Sequence, residues 1–116
     1  MTMPTVAVLP FSAEAGGAGI GRTLADEVKA ALVPFRTITV IAPDRNPQFA
    51  VRGSVRRRDG REVITARLID TATGANLWAR SFGGEVEPDV AGAVAAAVES
   101  RIHLHDLSRQ LRGPPT

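Results

Sequence analysis

The chain has 116 residues, no cysteine and a formal net charge of +2. This length fits a single domain with one hydrophobic core, and the lack of cysteine excludes disulfides, thiolate nucleophiles and cysteine-based zinc sites. No segment holds the roughly 20 apolar residues of a membrane-spanning helix, and the N-terminus lacks the features of a signal peptide. We therefore expect one domain over residues 1–116, located in the cytoplasm and not inserted into a membrane.

The first third of the chain predicts a strand, a helix and a second strand. Residues 5–11 form a nearly continuous apolar run, which is typical of a strand buried on both faces. A link of small residues, 13–19, leads to a helix that begins at Ile20 and ends or bends at Pro34. Residues 37–42 are the second strand. In such a unit the two strands are expected to be parallel, with a right-handed connection.

Residues 51–82 predict a three-stranded antiparallel meander. Asp59 and Gly60 form a two-residue turn that favours positive φ at both positions, and runs rich in β-branched residues flank it. This turn fixes the register of the hairpin. One face then carries the cross-strand pairs Val51 with Leu68, Gly53 with Ala66, Val55 with Ile64, and Arg57 with Glu62. We expect this face to point to the core.

The opposite face of the hairpin is cationic. It carries Arg52, Ser54, Arg56, Arg58, Arg61, Val63, Thr65 and Arg67. Such an alternation is typical of an antiparallel sheet with one face in solvent. Residues 49–82 contain seven arginines and three acidic residues, whereas the rest of the chain has seven basic and nine acidic residues. The positive charge is therefore concentrated on the meander.

The orientation of Trp78, the only tryptophan, depends on the length of the link before the third strand. A five-residue link over 71–75 places Trp78 opposite Leu68 and Phe82 opposite Ile64, both toward the core. A four-residue link places both aromatic rings on the arginine face, where they could bind a partner together with the guanidinium groups. The usual burial of large aromatic side chains favours the core alternative.

The C-terminal region predicts a long helix. Pro88 and Asp89 are favourable at a helix start, and Gly113 followed by two prolines is a strong stop signal. A helix from 88 to 112 is about 37 Å long at ~1.5 Å per residue, and a seven-residue strand covers only about 23 Å. The last turns therefore overhang the sheet. We expect a domain core over residues 5–103 and a helical extension over 104–112.

Two apolar stripes on this helix point in different directions. The first stripe contains Val90, Val94, Val98 and Ile102. The second contains Leu104, Leu107 and Leu111, roughly a third of a turn away at ~100° per residue. One straight helix does not bury both stripes on one surface. Either the helix breaks near His103, or the leucine stripe contacts another protomer, or the tail frays and packs loosely on its own domain.

Residue patterns typical of enzymes are absent from the sequence. The glycine-rich segment 16–21 lies between a strand and a helix, but it fits neither the dinucleotide fingerprint nor a P-loop. His103 and His105 point about 200° apart on a helix, which is poor geometry for joint metal ligation. Neither paired carboxylates nor a serine triad are evident. We therefore expect no enzymatic activity, no cofactor and no metal site.

Three stretches of the meander carry a resemblance to a known family. GSVRR at 53–57, ITARLID at 64–70 and ATGANLWARSF at 72–82 resemble the TolB amino-terminal-like domain family, as do the first strand and helix. The resemblance covers most of residues 5–105. Members of that family have a further helix and strand where this chain has only a short connection before Gly53. The resemblance implies a non-catalytic domain of bacterial regulatory proteins, often beside nucleotide-cyclase, winged-helix or TPR regions and related in fold to envelope lipoproteins.

Pattern and resemblance together predict an α/β fold, on the border of α+β. A small mixed sheet of about five strands contains the antiparallel meander, and two helices pack against it.

Two functions remain open. The first is a module for protein interaction or ligand sensing in bacterial signalling or at the cell envelope, acting with a protein partner or as a homodimer. Its candidate self-association residues are Leu104, Leu107 and Leu111. Its candidate partner-binding residues are Arg52, Arg56, Arg58, Arg61, Arg67 and Trp78. The alternative is nucleic-acid binding through the same arginines. Nucleic acid is the less favoured partner, because the net charge is modest and few aromatic rings are expected to be exposed.

Overall fold

The computed structural model describes residues 3–13, 18–83 and 89–112, with side chains of 18 and 109–112 outside the description. Six strands form one mixed sheet, and two helices pack against one of its faces. The strands are β1 (Thr5–Val8), β2 (Ser12–Ala13), β3 (Thr39–Val40), β4 (Phe49–Arg58), β5 (Arg61–Asp70) and β6 (Asn76–Gly83). The helices are α1 (Ala18–Leu32) and α2 (Val90–Arg112). The predicted α/β class, on the border of α+β, is confirmed.

The sheet has the strand order β3-β1-β4-β5-β6, with β2 beside β4. Strand β1 is parallel to both of its neighbours, as expected for a strand–helix–strand unit. Strands β4, β5 and β6 form the antiparallel meander. The described part of the sheet therefore has six strands, one more than the sequence predicts.

The additional strand results from a break in the first apolar run. Val6, Ala7 and Val8 are completely buried, which confirms a strand covered on both faces. The strand stops before Pro10, which lacks an N–H group and cannot continue the hydrogen-bond ladder. The chain then resumes extended structure as β2, parallel to the middle of β4.

Strand β3 is shorter than predicted. A short connection leads from it to β4, at the place where the TolB amino-terminal-like family is expected to have a further helix. The connection contains a single 3-10 turn, Pro43–Arg45, followed by Asn46 with a φ of 54°. Its end is tied to β1 by two reciprocal hydrogen bonds. The Thr5 N–H donates to Gln48 Oε1 (3.2 Å), and the Gln48 N–H donates to Thr5 Oγ1 (2.9 Å). These bonds bring β4 beside β1 without a further helix.

The meander has the predicted register. Asp59 and Gly60 have φ values of 51° and 74°, and Val55 pairs with Ile64 across the turn. The link before β6 contains five residues, 71–75, so Trp78 pairs with Leu68 and Phe82 with Ile64. Phe82 is buried and Trp78 is half-buried against the core. Trp78 therefore lies on the side of the sheet opposite to the candidate arginines, as the five-residue link predicts.

Phe11 lies between α1 and β4, where two glycines give it space. The Phe11 N–H donates to the Gly21 carbonyl oxygen in the first turn of α1 (3.2 Å). A Cβ atom on Gly21 would overlap the Phe11 carbonyl group. A Cβ atom on Gly53 would lie 2.5 Å from the Phe11 ring and 2.5 Å from the Thr65 carbonyl oxygen. Glycine at these two positions therefore allows the close approach of helix and sheet.

Helix α2 is continuous and does not break near His103. Asp89 caps its start, because Asp89 Oδ1 accepts a hydrogen bond from the Gly92 N–H (2.9 Å). Pro88, which the sequence places in the first turn, lies outside the described residues. Val94, Val98 and Ile102 are buried against the sheet and α1. Neither α1 nor α2, in its described residues, is long and apolar enough to cross a membrane.

Candidate functional site

Side chains on the face of the sheet away from the helices form a continuous row of hydroxyl groups across four strands. We call this side the open face, and the hydroxyl row contains Ser12, Ser54, Thr65 and Ser81. Each member pairs directly with the next one on the neighbouring strand. Thr65 Oγ1 and Ser81 Oγ lie 3.2 Å apart and share a hydrogen bond, and Ser12 Oγ donates to the Gly53 carbonyl oxygen (3.3 Å). At about 4.8 Å between strands, the row is about 14 Å long.

Arginine side chains lie on both sides of the hydroxyl row, displaced from it along strands β4 and β5. Arg56 and Arg58 follow Ser54 along β4 on one side of the row. On the other side, Arg52 of β4 pairs directly with Arg67 of β5. Arg61 begins β5 and pairs with Arg58 next to the turn. These five arginines are exposed on the open face, where the alternation in the sequence places them.

The electrostatic character of the open face is uniformly positive in the part of the chain that the structure describes. No acidic side chain belongs to the open face of strands β4, β5 and β6 in the described ranges. Arg52, Arg56, Arg58 and Arg67 form no ion pair with any described residue. Like charges that face each other directly across two strands destabilise a sheet. The pair formed by Arg52 and Arg67 therefore persists at some cost in stability.

The open face contains a depression of about 580 Å³. It is lined by Ser12, Gly53, Ser54, Arg56, Arg58, Val63, Thr65, Arg67 and Ser81. This volume lies in the range of sites for small molecules. The lining combines hydroxyl groups, which donate and accept hydrogen bonds, with guanidinium groups, which only donate. The depression is therefore suited to a ligand with oxygen acceptors and negative charge.

A second concavity of about 830 Å³ lies between the 43–48 connection, the turn after β5 and α2. His105 Nε2 lies 3.5 Å from Asp70 Oδ2, and the His105 ring meets the Phe49 ring edge to face with centroids 5.6 Å apart. The Thr71 hydroxyl donates to the Pro47 carbonyl oxygen at its rim. The histidine and the carboxylate tie α2 to the end of β5. Within the described ranges no hydroxyl or other nucleophile is bonded to His105, so the pair lacks the third member of a catalytic set.

The sequence does not predict the contact between Asp70 and His105. The residues are far apart along the chain, and only the path of α2 across the sheet brings them together. One feature of the sequence points toward this contact: His105 lies about one turn after the buried Ile102, near the same face of α2. His103 is exposed and does not join His105 in a metal site. The described ranges contain no group of three or more side chains that could hold a metal ion.

The end of α2 projects beyond the sheet and exposes apolar side chains. Ile102 is the last buried residue of the described side chains, whereas Leu104 and Leu107 are 54% and 44% exposed. The side chain of Leu111 lies outside the described residues. The molecule measures 56 Å along its longest axis and about 25 Å across. Leu104 and Leu107 are thus presented to solvent on a helix that continues to Arg112.

Comparison with known proteins identifies the fold. No family model matches the sequence, and no curated protein matches it either. The fold is similar to TolB from Acinetobacter baumannii (TM-score 0.66, 13% identity), covering 88% of this chain and 29% of the TolB chain. It is also similar to the PelC dodecamer from Paraburkholderia phytofirmans (TM-score 0.55, 22% identity, 85% of this chain and 87% of that chain).

A third similar structure is lipoprotein GNA1162 from Neisseria meningitidis, with a TM-score of 0.56 and 14% identity. The match covers 85% of this chain and 96% of that chain. At these identities the comparisons concern the fold alone. The TolB-like fold that the meander predicts is thereby confirmed, and the chain spans less than a third of the length of the TolB chain that it matches.

Proposed function

We propose that this protein is a non-catalytic bacterial binding module that assembles with further copies of itself through the projecting end of α2. The observation that carries the proposal is the exposure of Leu104 and Leu107 on a helix that extends past its own sheet. Exposed apolar side chains that lie together on one element commonly mark an interface. Two projecting helix ends that pack around a two-fold axis would remove these leucines from water in both copies.

The fold of known proteins supports self-association. One structure with a similar fold is described as a dodecamer, and this chain covers 87% of its length. The absence of a catalytic pattern from the sequence supports a role in binding rather than in chemistry. A homodimer is the smallest assembly that satisfies the proposal, and an open or cyclic arrangement of more copies uses the same helix end.

The module could act at either of two cellular locations, in a signalling system in the cytoplasm or at the cell envelope. The sequence resemblance is to a domain of bacterial regulatory proteins, which suggests a signalling system, whereas the fold shared with a lipoprotein favours the cell envelope. We favour the envelope version. Fractionation of bacteria that produce the complete natural protein distinguishes the two, because recovery with the membrane or periplasmic fraction supports the envelope and recovery with the cytosol contradicts it.

Light scattering over a range of protein concentrations tests the assembly. We expect the wild-type protein to have a mass of at least twice the 12.2 kDa of one chain. The double substitution Leu104→Glu with Leu107→Glu should reduce the mass to that of the monomer, because charged side chains are costly to bury in an apolar contact. Circular dichroism should show that this variant retains its fold.

A matched control replaces an exposed apolar residue elsewhere. Ile20 in the first turn of α1 is 46% exposed and lies near Ile64, away from the projecting end. We expect Ile20→Glu to retain the mass of the wild type. A wild-type protein that is monomeric at every concentration contradicts the proposal, and so does equal dissociation of the control and the double variant.

A further inference from the structure

We propose that the open face binds a soluble ligand that carries two phosphate groups on a hydroxyl-bearing carbon skeleton. One phosphate lies at the end formed by Arg56 and Arg58, and the other at the end formed by Arg67, which lines the depression, and its cross-strand partner Arg52, which borders the second concavity. The skeleton lies over the hydroxyl row between them. The ligand site does not depend on the assembly of the protein, because the projecting end of α2 contributes no residue to it.

The spacing of the arginines indicates a ligand with two separated anionic groups. Arg52 and Arg56 are four positions apart on β4, with Ser54 midway between them. At ~3.3 Å per residue, the two ends lie about 13 Å apart at the backbone. Arginine side chains are long and flexible, so their guanidinium groups can lean toward the hydroxyl row. A six-carbon skeleton with a phosphate at each end fits between them.

The number of charges also matches two phosphates. Arg56 and Arg58 at one end and Arg52 and Arg67 at the other supply two guanidinium groups each, with Arg61 beside Arg58. A phosphate monoester carries about −1.5 to −2 charges at neutral pH. Guanidinium groups form paired hydrogen bonds with the oxygens of one phosphate. A phosphate between Arg52 and Arg67 also relieves the repulsion of two like charges that face each other directly. Neither arginine has an ion-pair partner in the described ranges, so a phosphate there competes with no ion pair of the described residues.

The hydroxyl row indicates what joins the two phosphates. Thr65 and Ser81 already share one hydrogen bond, so each hydroxyl has remaining capacity to donate or accept. A skeleton with its own hydroxyl groups can use this capacity, whereas a hydrocarbon skeleton leaves it unused. Val63 is the one apolar side chain with a branched surface among the residues that line the depression. The lining therefore favours a polyhydroxylated ligand such as a sugar bisphosphate.

Larger partners fit the open face less well. Nucleic acid bound as a single strand requires aromatic rings on which bases stack, and Trp78 and Phe82 point to the other side of the sheet. Insertion into a membrane surface uses apolar side chains that enter the lipid, whereas the lining offers mainly hydroxyl and guanidinium groups. The depression of about 580 Å³ has the size of a small-molecule site.

Isothermal titration calorimetry with fructose 1,6-bisphosphate at low ionic strength tests the proposal. We expect the wild-type protein to bind this probe at least tenfold more tightly than fructose 6-phosphate, which has one phosphate. The double substitution Arg56→Gln with Arg67→Gln removes one guanidinium group from each end and should weaken binding at least tenfold. The matched control Arg22→Gln with Arg101→Gln removes the same charge from exposed positions on the two helices and should stay within twofold of the wild type.

The substitution Thr65→Val tests the hydroxyl row, because it keeps the shape of the side chain and removes the hydroxyl group. We expect severalfold weaker binding of fructose 1,6-bisphosphate and unchanged binding of pyrophosphate, which has no hydroxylated skeleton. Amide NMR shifts should change at Ser54, Thr65 and Ser81 when the probe is added.

Several results would overturn the proposal. These are the absence of wild-type binding to fructose 1,6-bisphosphate, equal losses in the test and control variants, or equal affinity for the mono- and bisphosphate. Tighter binding of single-stranded oligothymidylate with the same dependence on Arg56 and Arg67 would assign the face to nucleic acid instead. The variant with Leu104→Glu and Leu107→Glu should bind fructose 1,6-bisphosphate like the wild type. Ligand binding and self-association are therefore tested separately.

Discussion

Gly53 in the centre of β4 allows the Phe11 ring to lie directly on the sheet. A Cβ atom at this position would approach both the ring and the Thr65 carbonyl oxygen at 2.5 Å. We therefore expect Gly53→Ala to lower the free energy of unfolding by about 1–3 kcal/mol, as other overpacking substitutions do. Gly83→Ala is the matched control, because no heavy atom lies within 4 Å of the added Cβ atom. Urea denaturation of both variants checks the prediction, and equal effects would contradict it.

The cross-strand pairing of Arg52 with Arg67 predicts a substitution that stabilises the protein. Replacement of Arg67 by glutamate converts two like charges that face each other into an opposite pair. We expect Arg67→Glu to raise the free energy of unfolding by about 0.5 kcal/mol. High salt should reduce the gain, because the pair is exposed and screened. Arg36→Glu, at an exposed position outside the sheet, should have no comparable effect on stability. A gain that does not change with salt would contradict the electrostatic explanation.

At the scale of single residues, short-range geometry could be predicted and long-range contacts could not. The turn at Asp59 and Gly60 fixes which arginines share a face, since side chains alternate along each strand. The length of the 71–75 link decides the orientation of Trp78 in the same way. The contact of Asp70 with His105 depends on where a helix crosses the sheet, and no local pattern encodes that position.

Among the elements, α2 depends on the cap at Asp89. The Asp89 side chain accepts a hydrogen bond from the Gly92 N–H (2.9 Å), and the backbone N–H groups of a first turn otherwise lack partners. We expect Asp89→Ala to lower the free energy of unfolding by about 1 kcal/mol. Asp89→Asn should retain most of the stability, because asparagine also accepts this hydrogen bond. Thermal and urea unfolding check the difference, and equal losses in both variants would contradict a role in capping.

The strand boundaries show what apolar runs do and do not predict. Residues 5–11 read as one strand, but Pro10 divides them into β1 and the approach to β2. Strand β2 has only two residues and pairs with the middle of β4, so it leaves almost no pattern in the sequence. Long strands with alternating residues, such as β4 and β5, could be predicted with their register because ten consecutive pairs reinforce one another.

For the molecule as a whole, the distribution of buried residues predicts where the chain can be shortened. No described side chain after Ile102 is buried, so a chain that ends after Asp106 keeps the core and the His105 contact with Asp70. We expect it to fold with a thermal midpoint within a few degrees of that of the wild type. A chain that ends after Ala96 loses Val98 and Ile102 and should not fold cooperatively. Unfolding of the longer variant would show that the projecting end stabilises the domain.

The overall class of the fold could be predicted because several signals agree: a buried first strand, a helix, and a meander with a fixed turn. The exposed Leu104 and Leu107 could also be identified from the divergence of two stripes on one helix. The choice between a break in α2 and a straight projecting helix could not be made, since no proline or glycine near His103 favours either.

The arginines of the open face also affect which register the hairpin between β4 and β5 adopts during folding. Shifting one strand of an antiparallel pair by a single residue turns its entire set of side chains to the other side. In β4 such a slip would direct Arg52, Arg56 and Arg58 beneath the helices and release Val51 and Val55 into water. Burial of unpaired guanidinium groups is so unfavourable that misaligned hairpins are rejected. The arginines thus favour the native register of the hairpin.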